Sequence, residues 1–287
     1  MSPGRSRWLR VSRDRSCPIC GRHDWCLITQ DCSAAICARS ESGHRIGEAG
    51  WLHVLRENPP LAARSVVFRA SVFTSCEQDF GRLAQRFRQT AELSALRAMA
   101  ASLGVSVNSL NRLGVGWHAG YKAWAFPMQD DQSHIVGIRL RLCDGRKLAV
   151  RGGHEGLFIP GGLRFGGPLL LAEGPTDCAA LLDLGFEAIG RPSCSGGIRH
   201  CVPLVRAHWP LEVVVVADND PPGRQGAENL AVTLLPYART VRIIFPPASV
   251  KDIRAWKLDG ATHADVANLI TNAVARQLTI SEVRYAK

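Results

Sequence analysis

Three acidic residues of this sequence directly follow apolar runs, at the points where strands would end. Glu173 follows residues 169–172, and Asp218 and Asp220 follow the valine-rich run 213–217. Runs that are apolar throughout predict strands buried on both faces, and the carboxyl ends of parallel strands meet at one edge of a sheet. Three carboxylates at one edge repel one another unless a cation neutralises them. With no His or Cys among them, they favour a hard ion such as Mg²⁺ or Mn²⁺ and chemistry on phosphates.

Each of these acids also has a simpler interpretation. An Asp that follows a strand is most often a helix N-cap or a turn former. That interpretation serves for one segment at a time. It does not account for Glu-Gly-x-x-Asp after one strand together with Asp-x-Asp after another, and we therefore interpret the two segments as one metal-dependent site.

The elements that would position these acids alternate between strands and helices from Pro168 onward. Further strands are predicted at 187–190 and 241–245, and helices at 176–184, 223–235 and 264–276. Apolar strands separated by helices predict an α/β domain, a parallel sheet with helices on both faces. In such a sheet the three acids share the ligand-binding edge.

Residues 168–260 resemble the Toprim domain, the catalytic fold shared by bacterial-type primases, topoisomerases and some nucleases. The motifs that carry the resemblance are Glu173-Gly174 and Asp218-Asn219-Asp220. The resemblance implies that Asp218 and Asp220 hold magnesium and that Glu173 acts as general acid or base at the reacting oxygen.

Other segments match the primase branch of this family. Asp177 matches the acid one helical turn after the Glu, and Lys251-Asp252 matches the primase Lys-Asp segment, with Asp252 as a further acid at the metal site. Residues 192–197 resemble the small-residue loop beside the nucleotide. That resemblance implies nucleotide contacts for Ser195 and Gly196.

The middle of the chain, residues 61–167, is predicted to be a basic α+β subdomain. Apolar residues at helical spacing predict helices within 80–113, with Gly104 ending one and Ser106 capping the next. Strands are predicted at 123–128, 135–142 and 147–150, with an Asp144-Gly145 hairpin turn between the last two. This segment resembles the basic subdomain of primase cores, which implies that Arg139, Arg141 and Lys147 contact nucleotide or template phosphates. Exposed basic strands without such a role are also common.

Five of the ten cysteines lie within one short stretch. With no secretion signal in the sequence, clustered thiols favour a metal site over disulfides. Cys17-Pro-Ile-Cys20-Gly21 forms a C-x-x-C knuckle, and strands are predicted at 25–29 and 34–37. The segment resembles the zinc ribbons that precede the catalytic core in primases of replicons and mobile elements, and in those primases the ribbon serves template recognition.

The ligand set of the predicted ribbon is Cys17, Cys20, Cys37 and a fourth residue. Arg39 and Ser40 stand where an ordinary ribbon places the partner of its second C-x-x-C. Cys26 fits the Asp-Trp-Cys form of the resemblance and is our choice. The alternatives are Cys32, which the sequence places at a turn, and His23 and His44.

The formal net charge is +10, and residues 168–287 carry 12 basic and 12 acidic side chains, so the positive excess lies before them. Such an excess favours a polyanionic partner, because neutralising phosphates releases counterions. No apolar run approaches the roughly 18–20 residues of a membrane span. A cytoplasmic protein without a membrane partner is expected.

Together these features predict a DNA primase in the replication of a chromosome or mobile element, acting on a single-stranded DNA template with nucleoside triphosphates. The sequence contains no G-x-x-x-x-G-K-[ST] element, so a separate replicative helicase is expected as a partner. A Toprim nuclease and a noncatalytic zinc/Toprim recombination factor are the alternatives. The predicted division is 1–57 for the zinc ribbon, 61–167 for the basic subdomain, 168–265 for the Toprim domain and 266–287 for the C-terminal helix and tail.

Overall fold

The computed structural model of the protein describes residues 8–47, 49–55, 78–210 and 212–279. The chain forms two compact units, Met1–Phe73 and Thr74–Lys287. Residues 58–60, between the predicted zinc ribbon and the predicted basic subdomain, lie outside the described residues, and the predicted four-part division stays a prediction. None of the helices in the described part of the chain has the length and apolar character that crossing a membrane requires.

The first unit contains a small antiparallel sheet in the order β1-β2-β3-β4. Its strands are β1 (Trp8–Arg10), β2 (Leu27–Thr29), β3 (Ala34–Cys37) and β4 (Trp51–Val54). The strand expected at 25–29 begins only at Leu27, because Trp25 has a φ of +64°, which belongs to a turn. The two outer strands were not predicted, since three or four residues are too few to show a period of two.

The buried core of this unit is small and contains three cysteines. Its buried members are Val11, Cys17, Cys26, Ile28 and Cys37. A core of this size buries too little apolar surface to hold a fold together, and small domains of this kind generally depend on a metal or on disulfides.

The second unit begins with three helices and a second antiparallel sheet. They are α1 (Phe80–Gln89), α2 (Leu93–Leu103), α3 (Val107–Arg112), β5 (Gly116–His118), β6 (Ala123–Gln129), β7 (Ile135–Leu142) and β8 (Lys147–Ala149). The sheet order is β5-β6-β7-β8. The predicted helix boundary is confirmed: Gly104 ends α2 with a φ of +67°, and the Ser106 side chain caps α3 by accepting from Ser109 N.

The two faces of this antiparallel sheet have different characters because side chains alternate along each strand. One face is apolar and packs against α1, with Ala125, Ile138 and Leu140 in the contact. The opposite face carries Trp124 paired with Arg141 and Phe126 paired with Arg139. Two arginines thus lie on the inner side of the sheet, where apolar residues would be expected.

A parallel sheet in the order β10-β9-β11-β12 completes the second unit and confirms the predicted α/β architecture. Its elements are β9 (Leu169–Glu173), α4 (Gly174–Asp183), β10 (Glu187–Arg191), α5 (Ile198–His208), β11 (Glu212–Val216), α6 (Pro221–Leu234), β12 (Thr240–Ile244), α7 (Ile253–Leu258) and α8 (His263–Asn272). The strands and helices expected from Pro168 onward are all present.

The structure differs from the expectations at three of these helices. Neither α5 nor α7 was predicted, since α5 contains Pro203 and α7 has only six residues. The helix expected at 264–276 ends at Asn272, because Ala273 is extended and Arg276 pairs with Val241 at the sheet edge. The predicted boundary at 265/266 falls inside α8.

The parallel strands are buried on both faces, as their apolar runs predicted. On one face, Leu169, Leu171, Val213 and Val215 pack with residues of α5 and α6. On the other, Leu170 and Val214 belong to a core cluster with residues of α4 and α8, and Trp124, Phe126 and Met128 of the antiparallel sheet belong to the same cluster. The two sheets of the second unit therefore share one hydrophobic core, which fixes their relative position.

Candidate functional site

The acidic residues lie at the carboxyl edge of the parallel sheet, where the strand order reverses. From β9 the chain passes to β10 on one side, whereas β11 pairs with the other side of β9. The ends of β9 and β11 therefore flank a crevice of the kind in which open parallel sheets bind ligands. Glu173 ends β9, and Asp218 and Asp220 follow closely after β11. The structure brings the three predicted acids to this crevice.

Glu173 is oriented by the turn that begins α4. It is the N-cap residue of that helix, and Gly174 follows with a φ of +86°, a conformation that favours glycine. Among the described residues, the Glu173 Oε1 atom is buried without a hydrogen-bond partner. Burial raises the pKa of this carboxyl above its ordinary value, and the charge of Arg191 opposes that rise. A buried oxygen without a partner marks a group that is ready to take up a proton or a cation.

Arg191 places a buried positive charge beside Glu173. It stands opposite Glu173 in the register of β9 and β10 and is fully buried. Its Nη1 donates to the carbonyl oxygen of Cys194 at 2.8 Å, whereas Nε and Nη2 have no partner in the part of the chain that the structure describes. Burial lowers the pKa of the guanidinium. Arg191 was not predicted as a site residue, because an Arg at a strand end usually reaches solvent.

Asp218 and Asp220 share a lysine. Lys251 Nζ lies 3.9 Å from Asp218 Oδ2 and 3.9 Å from Asp220 Oδ2. Asp220 caps α6 by accepting from Gly223 N at 2.8 Å, so the simpler N-cap interpretation also holds for it. The pKa of Asp218 is raised to about 6, first by burial and then by the negative charges of neighbouring carboxylates, Glu173 first. A divalent cation at this position would relieve that repulsion.

Asn219, between the two aspartates, ties the Lys251 segment to the end of β11. Its side-chain amide lies 2.9 Å, 3.0 Å and 2.9 Å from the carbonyl oxygens of Pro246, Pro247 and Val250. Its backbone N–H donates to the carbonyl oxygen of Lys251 at 2.8 Å. In the sequence motif Asp-x-Asp, Asn219 occupies the variable position, so no role was predicted for it. In the structure it positions the Lys251-Asp252 segment at the acidic edge.

Asp177 and Asp252 extend the acidic group away from solvent. Asp252 caps α7 by accepting from Ala255 N at 2.7 Å. Asp177 lies in the first turn of α4, is buried, and accepts from Arg254 N at 3.3 Å. Burial raises the pKa of Asp177 to about 8, and the charges of Asp252 and Asp218 add to the rise. All five predicted acids therefore form one electrostatically coupled group.

The basic face of the antiparallel sheet is near this acidic edge. A small cavity of about 30 Å³ is lined by residues from both sides. Arg139, Arg141 and Lys147 line it from the sheet, and Gly174, Pro175 and Thr176 line it from the segment after Glu173. In the described chain, Arg139 Nε is buried without a hydrogen-bond partner. The three basic residues predicted to bind nucleotide or template thus lie beside the Glu173 turn.

A larger cavity of about 490 Å³ lies on the same face of the sheet. Its walls include Trp117, Trp124, Arg141 and Arg254. The indole rings of Trp117 and Trp124 meet edge to face with centroids 5.0 Å apart. Arg141 lines both cavities, and the basic side chains that line one or both of them, Arg139, Arg141, Lys147 and Arg254, form what we call the basic row. The two tryptophans were not predicted as site residues, because aromatic residues in strands are usually core residues.

Glu155, which was not predicted as a site residue, holds the small-residue loop before α5. Glu155 Oε1 accepts from Gly197 N at 2.6 Å, and Gly196 N donates to Ser193 Oγ at 2.9 Å. Gly196 is buried and Ser195 is exposed. Pro192 is the residue of this loop that lines the smaller cavity.

In the first unit, four thiols converge. The Sγ atoms of Cys17, Cys20, Cys26 and Cys37 all lie within 4.8 Å of one another. Zinc–sulfur bonds of about 2.3 Å in a tetrahedron place sulfur atoms about 3.8 Å apart. The observed separations of 3.8 Å for Cys20–Cys26 and 4.0 Å for Cys26–Cys37 fit that geometry. Cys32 is exposed at its turn, as are His23 and His44, so the structure gathers the four thiols chosen from the sequence.

No protein-family model matches the sequence, and no curated protein is significantly similar to it. Solved structures are similar in fold. The primase catalytic core of E. coli is 19% identical with a TM-score of 0.54 over 70% of this chain and 81% of that one. The DnaG primase catalytic domain bound to single-stranded DNA is 20% identical with a TM-score of 0.53 over 69% of this chain and 80% of that one. The chain has the fold of a primase catalytic core.

A third similar structure includes a zinc-binding domain. The Aquifex aeolicus primase, with zinc-binding and RNA polymerase domains, is 14% identical with a TM-score of 0.56 over 69% of this chain and 60% of that one. The predicted resemblance to primases is therefore confirmed at the level of the fold. The acidic edge and the basic sheet face belong to one compact unit, and the four clustered cysteines belong to the other.

We expect the buried carboxyl of Asp177 to lower the free energy of unfolding of the chain at neutral and alkaline pH. Its folded pKa of about 8 lies above the ordinary value of 3.8, so the folded chain holds a proton that the unfolded chain releases. The resulting loss of stability starts near the unfolded value and grows until the pH passes the folded one. In urea unfolding with a chelator present, we expect Asp177→Asn to raise the free energy of unfolding at pH 8 by roughly 1–3 kcal/mol.

This gain should shrink towards zero near pH 4, where both states of the wild-type carboxyl are largely protonated. Asp259→Asn, a change at an exposed position at the end of α7, is the matched control and should show no comparable pH-dependent gain. An equal free energy of unfolding for Asp177→Asn and wild type at pH 8 would contradict the raised pKa assigned to the buried carboxyl of Asp177.

Proposed function

We propose that this chain is a DNA primase, which makes short primers on single-stranded DNA by metal-dependent nucleotidyl transfer. The observation that carries the proposal is that the acidic edge of the parallel sheet meets a basic sheet face in a fold similar to primase cores. One of those similar structures is described as bound to single-stranded DNA. Nucleotidyl transfer requires both features, since carboxylates hold the metal and cations hold the phosphates.

We also propose that residues 168–265 are a Toprim domain. Glu173-Gly174 and Asp218-Asn219-Asp220 occupy the ends of the two central parallel strands, which supports that assignment. In this proposal Asp218 and Asp220 hold Mg²⁺ or Mn²⁺. The donors fit a hard cation, because they are carboxylate oxygens alone and the pKa of Asp218 is raised in part by its acidic neighbours.

A bound divalent ion would neutralise charge on the triphosphate of the incoming nucleotide. The side chains of this chain supply the other functions. In this proposal Glu173 accepts the proton of the attacking 3′-hydroxyl, and its raised pKa, which brings it closer to neutral pH than an exposed Glu, supports that role. Lys251, between Asp218 and Asp220, is exposed enough to move onto a phosphate.

The remaining parts of the proposal concern partners. The four-cysteine unit would hold structural zinc and recognise the template. Arg139, Arg141 and Lys147 would hold template or nucleotide phosphates, with Ser195 and Gly196 near the nucleotide. A separate replicative helicase stays a prediction, as does the origin of the chain in a chromosome or a mobile element.

The deciding experiment incubates the full chain with single-stranded DNA, Mg²⁺ and labelled ribonucleotides or deoxyribonucleotides. Template-dependent oligomers of a few nucleotides are the expected product. Shortening of a labelled template without synthesis would instead indicate a nuclease. Binding of single-stranded DNA with neither reaction would indicate a noncatalytic recombination factor.

The basic row can be tested separately from synthesis. Arg141→Met should weaken binding of a labelled single-stranded oligonucleotide, because Arg141 lines both cavities. One lost phosphate contact should also reduce the slope of log affinity against log salt by about 0.7. Fluorescence anisotropy over a salt series measures both effects. The control Arg82→Met removes the same charge from the exposed side of α1, and an equal loss there would contradict a specific role for Arg141.

A further inference from the structure

The guanidinium of Arg39 contacts the four-cysteine cluster. Its Nη1 atom lies 3.8 Å from Cys26 Sγ and 4.0 Å from Cys20 Sγ. It comes two residues after Cys37, in the region where an ordinary ribbon places its last cysteine. The guanidinium therefore places a positive charge next to the sulfur atoms of Cys20 and Cys26.

Asp24 holds this guanidinium in place. Arg39 Nη1 donates to the backbone carbonyl oxygen of Asp24 at 3.0 Å, and Arg39 Nη2 donates to Asp24 Oδ1 at 2.8 Å. The same carbonyl oxygen accepts from Cys26 N at 2.9 Å. The fork of one guanidinium thus joins the turn before Cys26 to the turn after Cys37, a geometry that a single ammonium group cannot reproduce.

The ion pair by itself would contribute little to folding. The side chains of Arg39 and Asp24 are 36% and 49% exposed, and pairs of that exposure add at most about 1 kcal/mol. The effect of Arg39 on a bound metal is expected to be larger. Four thiolates around a divalent zinc ion leave a net charge of about −2, and a cation in contact with two of the sulfur atoms offsets part of it.

Backbone donors complete the surroundings of the sulfur atoms. Cys37 Sγ accepts from Arg39 N at 3.4 Å and from Ser40 N at 3.2 Å, and Cys26 Sγ accepts from Ala38 N at 3.5 Å. These N–H groups remain when the Arg39 side chain is changed. A substitution at Arg39 therefore isolates the contribution of the guanidinium.

From this geometry we propose that Arg39, fixed by Asp24, is a positioning residue for zinc in the four-cysteine cluster. The guanidinium stabilises the negatively charged thiolates and locks the segments that carry Cys26 and Cys37. Groups that orient metal ligands in this way typically change metal affinity by roughly 10–100-fold. This role of Arg39 rests on the proposed zinc site and does not depend on primase activity.

The test measures zinc affinity of the full chain by competition with a chromophoric chelator. Arg39→Met should raise the zinc dissociation constant by roughly tenfold or more. Arg39→Lys should fall between Arg39→Met and wild type, since it keeps the charge and loses the fork. Asp24→Asn should weaken zinc binding less than Arg39→Met, and the double variant should be no weaker than Arg39→Met alone, because both changes act through one contact.

Arg13→Met is the matched control, because it removes an exposed arginine of the same unit and should leave zinc affinity unchanged. The absorption spectrum of bound Co²⁺ checks that every variant keeps a tetrahedral four-thiolate site. Zinc affinity of Arg39→Met within about twofold of wild type would overturn the proposal. If Arg39→Met does not fold, unchanged affinity in both Arg39→Lys and Asp24→Asn would overturn it equally.

Discussion

Replacing Asp218 by Asn is expected to abolish primer synthesis, with a loss of about a thousandfold or more, because a metal contributes several kcal/mol to phosphoryl transfer. Asn keeps the size of the side chain and removes the negative charge. Burial and then the charges of Glu173, Asp252 and Asp220 raise the pKa of Asp218, so its carboxylate lies close to three other acids. The measurement is the yield of labelled oligomers on a single-stranded template with saturating Mg²⁺.

The same variant should lose Mn²⁺ binding, measured by the loss of the free-ion electron paramagnetic resonance signal on titration. Binding of single-stranded DNA should persist, since the basic row is untouched. Asp259→Asn removes an equal charge from an exposed position and should retain both synthesis and Mn²⁺ binding. Full synthesis by Asp218→Asn would refute the metal-binding role of Asp218, and undiminished Mn²⁺ binding would refute it whatever reaction the chain performs.

The second large effect is expected at the four-cysteine cluster. Cys26→Ser should remove stoichiometric zinc and unfold the first unit, because structural zinc contributes roughly 10–16 kcal/mol to small domains of this kind. Cys26 is fully buried, and its Sγ lies 3.8 Å from Cys20 Sγ and 4.0 Å from Cys37 Sγ. Metal analysis of the purified chain and protease digestion of the first unit measure the two consequences.

Cys32→Ser is the informative control, since Cys32 belongs to the same segment and is exposed. It should keep one zinc per chain and normal protease resistance. The opposite pattern, with zinc lost in Cys32→Ser and retained in Cys26→Ser, would show that the cluster is not the binding site. The second unit should stay folded in both variants, because it has its own core.

The sequence could predict those features that depend on short-range rules. The parallel strands, the helix boundary at Gly104 and the hairpin turn at Gly145 follow from apolar runs and from glycines with positive φ. The position of Glu173 and Asp218 followed from the same rules, because a buried strand must end at the sheet edge. These predictions needed no knowledge of distant partners.

What the sequence could not predict depends on register and on long-range packing. Arg191 lies beside Glu173 only because β10 pairs in register with β9. Asn219 reaches three carbonyl oxygens that follow it by about thirty residues, and no local pattern encodes that contact. The helix α5 escaped prediction because Pro203 lies inside it. In the first unit, the resemblance favoured Cys26 as the fourth thiol, and the convergence of its Sγ with those of Cys17, Cys20 and Cys37 decided against Cys32.

The shared core of the second unit bears on how a substrate would meet the site. Trp124 and Phe126 pack in the same cluster as Leu170 and Val214, so one hydrophobic core holds the basic sheet face against the sheet that carries the acidic edge. Two domains joined by a flexible linker would have to close on each nucleotide and lose conformational freedom in doing so. In this unit the corresponding conformational freedom is already lost during folding. The cavities and carboxylates are preorganised, and binding energy remains available for aligning the reacting atoms.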